Sequence, residues 1–161
     1  MRRLKVGMAV LVAVGLAAAT ALALAAVTTR AEYVAAVEPI CRANTKANER
    51  ILKGVRNEVS HNRLKPAAAQ FTKAARALKQ TLAELRAVPR PPADAARLNK
   101  WFTAIGAEAQ LFEATAAKLR AGEKGPAERM SILLTAAANK ANNQVLGFEF
   151  RYCHGEPSKF T

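Results

Sequence analysis

Few side chains in this 161-residue chain could do chemistry, and their types decide which chemistry is open to it. Two cysteines, Cys41 and Cys153, stand near opposite ends of the region able to fold. The only histidines, His61 and His154, form no E-x-x-H or H-x-x-x-H spacing, and neither follows a C-x-x-C haem-attachment pair. No Ser-His-Asp set, paired-carboxylate motif or phosphate-cradling glycine loop can be assembled, so no catalytic residue, metal or cofactor is expected. Glu108 falls beside the aromatic face of Trp101 and Phe112, where a salt-bridged flank residue is expected rather than a catalytic acid. What remains is amide chemistry. Asn44, Asn48, Asn139 and Asn142, with Asn143, crowd segments that otherwise read as helix, where Asn is a poor former. An amide at a core position must find hydrogen bonds or lose about 1–3 kcal/mol. The cluster therefore either fixes register across a helical seam or lines a polar pocket.

Those residues need elements to position them. Lys46–Leu52 (KANERIL) recurs near the other end as Lys140–Leu146 (KANNQVL). If both copies are helical and run antiparallel, Asn48 lies opposite Leu146 and Leu52 opposite Asn142. Thr29-Arg30-Ala31-Glu32 fits a capping box, so a first helix is predicted from there. Val34, Val37, Cys41, Ile51 or Leu52, Val55 and Val59 continue its apolar spacing to the polar run at residues 60–62, with a kink expected at Pro39. After Pro66, Ala68, Phe71, Ala75, Leu78, Leu82 and Leu85 step by three and four, the pattern of a second amphipathic helix. It ends at Val88-Pro89-Arg90-Pro91-Pro92. A third carries Leu98, Trp101, Phe102, Ile105, Ala109, Phe112, Ala116 and Leu119, and stops at Gly122 and Gly125. The fourth opens at Pro126 and is expected to fray through Phe148 and Tyr152 to Cys153. Helices of this length with short links give an all-α, up-down-up-down four-helix bundle over residues 31–153, with a non-helical tail over 154–161.

Ahead of the bundle, residues 1–30 read as an export segment. Met1-Arg2-Arg3-Leu4-Lys5 is basic, and Val6 to Val27 is uncharged and apolar apart from Thr20. That run could span about 30 Å of hydrocarbon as an uncleaved anchor. Its Ala-rich composition and the small residues Ala23-Leu24-Ala25 suit a cleaved signal peptide instead. Both place the bundle outside the cytoplasm, because the positive flank stays inside. A membrane is then touched only through this segment, if it is uncleaved. Two cysteines in an exported chain, with no C-x-x-C, read as a structural disulfide between Cys41 and Cys153.

The formal net charge is +13. Residues 42–100 carry 14 bases against 4 acids, so the first half of the bundle holds most of it. Arg42, Lys46, Arg50 and Lys53 share one side of the first helix, and Lys73, Arg76, Lys79, Arg86 and Arg90 flank the stripe of the second. No aromatic residue is interleaved with them, which with export argues against nucleic acid. The partners expected for this face are anionic lipid headgroups or cell-wall polymers.

Tyr33-Val34-Ala35-Ala36-Val37-Glu38-Pro39-Ile40-Cys41 and Phe148-Glu149-Phe150-Arg151-Tyr152-Cys153 give the chain a further signature. Through these segments it resembles a group of small exported Ala/Arg-rich helical proteins of high-GC Gram-positive bacteria. That group has no established activity, and the resemblance brings no catalytic residues. The expectation is a non-enzymatic exported bundle that binds envelope polyanions through its basic face, or alternatively a small-ligand carrier with an Asn-lined pocket.

Overall fold

Helix α1, Arg30–Ile51, starts where the capping box places it. The Glu32 N–H donates to Thr29 Oγ1 at 3.2 Å, and the Thr29 N–H donates to Glu32 Oε2 at 2.8 Å. The computed structural model describes residues 29–156, so the leader and the chain after Glu156 lie outside the described residues. Among the described residues no helix is long and apolar enough to cross a membrane.

The first helix departs from its predicted course. It passes Pro39 uninterrupted and breaks instead at Gly54, which takes the left-handed conformation (φ +77°) before a short helix α2, Val55–Ser60. A glycine reaches that conformation at no steric cost, and the carbonyls left open at the end of α1 find a partner. Gln70 Nε2 donates to the carbonyls of Ile51 and Lys53 at 2.9 and 3.0 Å. Nothing lies within 4 Å of where a Gly54 Cβ would stand, so Gly54→Ala tests the backbone alone. The expected cost is about 1 kcal/mol, seen as a melting temperature lower by a few degrees. An unchanged melting curve would mean that the turn does not need the left-handed residue.

Helix α3, Leu64–Ala87, buries the stripe that its sequence spacing predicts, including Phe71, Ala75, Leu78, Leu82 and Leu85. A 3-10 turn, Pro92–Asp94, leads into α4, Ala95–Arg120, which carries Trp101, Phe102, Ile105 and Phe112 inward. Helix α5, Lys124–Gln144, follows a turn through left-handed Gly122. The described chain is an all-helical bundle of four long helices, α1, α3, α4 and α5, with α2 as an appendage of the first. Lys79 bonds Glu113 at 2.6 Å and Arg120 bonds Thr72 at 2.9 Å, so α3 and α4 run antiparallel. The extensive interfaces are α1 on α3, α3 on α4, and α4 on α5.

The first and last helices do not close on each other to a similar extent. Helix α5 ends at Gln144 rather than fraying on to Cys153, and the chain continues as a 3-10 turn, Leu146–Phe148, with Glu149 left-handed at φ 56°. The cause is visible in the aromatics. Phe148 and Phe150 are both buried, yet residues two apart fall on nearly opposite sides of a helix, so one helix cannot bury the pair on one face. Leaving the helix lets Phe148 stack on Phe150 and Phe150 on Trp101, at centroid distances of 5.3 and 5.5 Å. Gly147 also weakens any continuation. The expected register is lost with it: Leu146 is 74% exposed and cannot face Asn48 across a seam.

Residues 145–156 thus form a strap between α1 and α5. Cys153 in the strap is bonded to Cys41 in α1, with a Cα–Cα distance of 4.9 Å. The Glu38 carboxylate accepts from the N–H groups of Arg151 and Tyr152, at 2.5 and 3.1 Å. Near its end, Asn142 holds both backbone groups of Gly155 at 2.9 Å. The other end is pinned by Arg30, which bonds Asp94 through two nitrogens and covers the Phe148 ring at 4.9 Å. The Arg30 hydrogen bond holds the Asp94 carboxyl below its usual range although its side chain is only 7% exposed.

Candidate functional site

Because a strap replaces a direct α1–α5 seam, the bundle keeps a gap along that side. One part of it is a partly open cavity of about 100 Å³. Helix α1 supplies Asn44, Thr45 and Asn48, α3 supplies Thr81, α4 supplies Trp101 and Glu108, and α5 supplies Asn142. The strap closes it with Tyr152, His154 and Gly155.

Glu108 sets the character of the cavity. It is 8% exposed and has no hydrogen bond or ion pair among the described residues, which corrects the expected salt-bridged flank position. The spacing of α4 explains the burial. Glu108 lies one turn from Ile105 and Phe112, so the helix turns it toward the gap. Burial pushes its carboxyl up from 4.5 to about 7. Gly155 of the strap lies against this carboxyl: a Cβ there would stand 3.7 Å from Glu108 Oε1, an ordinary contact distance. Beside it, Asn48 Nδ2 donates to Asn44 Oδ1 at 3.3 Å, while the buried Asn48 Oδ1 has no partner. Two unmatched acceptors therefore meet one small cavity. Unmatched buried acceptors are costly, and a ligand that donates hydrogen bonds removes that cost.

Three of the four asparagines singled out in the sequence gather at this cavity. Asn44 and Asn48 form one wall, and Asn142 spends its amide on Gly155, clamping the strap that closes the site. Asn139 is exposed and borders a different recess. That second recess is an apolar groove of about 790 Å³ bounded by Val55, Val59, Phe71, Leu119 and Ile132, the last 70% exposed. Size favours the groove, but none of its bordering side chains is a buried polar group without a partner. The buried hydroxyl of Thr115, for example, donates to the Leu111 carbonyl at 2.8 Å. The cavity, with its unmatched acceptors, is the candidate site.

The basic residues are placed elsewhere. Arg42, Lys46 and Arg50 are exposed on α1 and Lys53 in the turn that follows it, as are Lys73, Arg76, Lys79 and Arg86 on α3. Lys79 is engaged with Glu113, Arg42 covers the Tyr152 ring at 5.7 Å, and Arg90 bonds Asn99. None of the cavity-lining residues is Lys or Arg. Sequence reading missed Thr45, Thr81 and His154 as lining residues. Thr81 had a signal, since a polar residue one turn from Leu78 and Leu85 sits inside an apolar stripe, but His154 is brought in only by the strap. No protein-family profile, curated protein or solved structure matches this chain.

Proposed function

We propose that this protein is an exported, non-enzymatic small-ligand carrier, an up-down-up-down bundle behind a signal or anchor segment, which holds its ligand in the polar cavity between α1 and α5. The observation that carries this reading is that two residues lining one partly open cavity hold acceptors without partners among the described residues, the buried Glu108 carboxyl and Asn48 Oδ1. A bundle built only for stability has no use for either, because each penalises the folded state. A purely structural role for the amides accounts for Asn142, which clamps the strap, but leaves Asn48 half satisfied.

Trp101 is the only tryptophan and borders the cavity, so its emission reports on this site alone. The oxidised full-length protein, screened against small polar compounds of every charge class, is expected to show a saturable change in Trp101 emission with at least one class. Thr81→Met, which fills the cavity from α3, should abolish that change while leaving the helical spectrum intact. If no class moves the emission, or the filled variant responds like the parent, the carrier reading fails.

A second reading keeps the basic face as an attachment surface for anionic envelope lipids or polymers. It is favoured by the exposure of Arg42, Lys46 and Arg50 along α1 and of Lys53 in the turn after it. Such attachment would weaken steeply with salt, whereas ligand binding at the part-buried cavity would be less salt-sensitive.

A further inference from the structure

The cavity departs from the charge of its own protein. Lys and Arg outnumber Asp and Glu by 25 to 12 along the chain, yet the cavity is lined by Glu49, Glu108 and Glu156 and by no lysine or arginine. Among its lining side chains, Asn48 Oδ1 and the Glu108 carboxylate are acceptors without a partner among the described residues, and the buried Thr81 hydroxyl, also unbonded there, can donate or accept. Trp101 and Tyr152 also border it, with Trp101 stacked on Phe150 and the Tyr152 ring already covered by Arg42 and Arg151. A space of about 100 Å³ admits several waters or an organic group of a few heavy atoms. Among the described residues no three His, Cys, Asp or Glu side chains come together as a metal would need, so a donor with several N–H groups suits the site better than a bare cation.

Resting on the carrier reading, we propose that the cavity binds a small organic cation, an ammonium or guanidinium group. Its N–H donors are taken by Glu108 and by Asn48 Oδ1, and its charge is compensated by the Glu108 carboxylate. Charge-assisted hydrogen bonds of this kind are the stronger class. The cation needs Glu108 ionised, so binding strengthens as pH rises through the titration of that carboxyl and releases one proton where the free site is protonated. The other titratable groups facing the cavity are Glu49 from α1 and Tyr152, His154 and Glu156 from the strap, while α3 and α5 contribute none.

The probes are guanidinium and methylammonium, with acetamide and acetate as neutral and anionic counterparts, each added to the oxidised full-length protein at constant ionic strength while Trp101 emission is followed. At about pH 8 the two cations should give saturable changes, weakened by at least about tenfold at about pH 5.5 and likewise in Glu108→Gln at either pH. Acetamide and acetate should give none. The wild-type pH comparison stands by itself if the variant fails to fold. Equal cation affinity at both pH values, or in Glu108→Gln, overturns the proposal. If acetamide or acetate binds and the cations do not, the cavity is a carrier site of another class and only the cation assignment falls. If no probe moves the emission, the cavity holds water alone and both readings fall together.

Discussion

Glu108→Gln is expected to be more stable than the parent protein at about pH 8 and to lose most of the parent's dependence of stability on pH between about 5 and 8. The carboxyl is raised in the folded protein from 4.5 to about 7 by burial. Across that interval the folded state binds a proton that the unfolded state has already released, so stability falls as pH rises. The contribution is fully present below the ordinary glutamate value and is lost as pH climbs through about 7. Its full size is about 3 kcal/mol, on the order of 10 °C in melting temperature for a domain of this length. The gain in the variant is smaller than that, because the new amide must also find hydrogen bonds in the cavity. The difference in slope between the two proteins is the cleaner readout. Asp94 acts with the opposite sign at the acid end: Arg30 holds its carboxyl low, so that contribution is present above the ordinary aspartate value and lost as pH falls. Parallel melting-temperature profiles for parent and variant from about pH 5 to 8 would show that Glu108 is solvated or paired.

Removing the disulfide should cost more. Cys41 and Cys153 close a loop with a sequence separation of 112, for which the chain-entropy model gives about 4–5 kcal/mol. Cys41→Ser with Cys153→Ser should therefore lower the melting temperature by more than 10 °C, on the order expected for that loss. Helical content at low temperature should be largely retained, since the helices owe their form to apolar spacing and to packing of α1 on α3, α3 on α4 and α4 on α5. The damage should concentrate in the strap. Hydrogen exchange at the Arg151 and Tyr152 amides, which donate to Glu38, should accelerate far more than exchange in α3 or α4. Equal acceleration throughout would mean that the strap is no weaker than the core. An unchanged melting temperature would remove the disulfide from the stability account.

The helices were legible because their signals are local. The apolar steps of α3 from Phe71 to Leu85, the Thr29–Glu32 cap and the glycine stop after α4 each lie within a few residues of what they determine. The cysteine pairing was legible for a different reason: with only two cysteines in the chain, each has one candidate partner. The two breaks were not legible in the same way. Pro39 carries the stronger breaking signal, but the chain turned at Gly54, where Gln70 from another helix caps the exposed carbonyls. Past Gln144, helical spacing competed with burial of Phe148 and Phe150 against Trp101, and the tertiary stacking won. The site inherits both properties. Asn44, Asn48 and Asn142 stood out by composition, whereas the enclosure of Glu108 depends on a strap that no periodicity announces.

Glu108 is buried without a hydrogen-bonding or charged partner among the described residues and lines the cavity proposed to hold the ligand. The most direct measurement is the carbon-13 NMR titration of the Glu108 carboxyl in the oxidised full-length protein, with and without methylammonium. The account predicts a midpoint of about 7 without the cation and a lower one with it, since a bound cation favours the ionised form. A midpoint in the ordinary glutamate range, or one that methylammonium leaves in place, would contradict it.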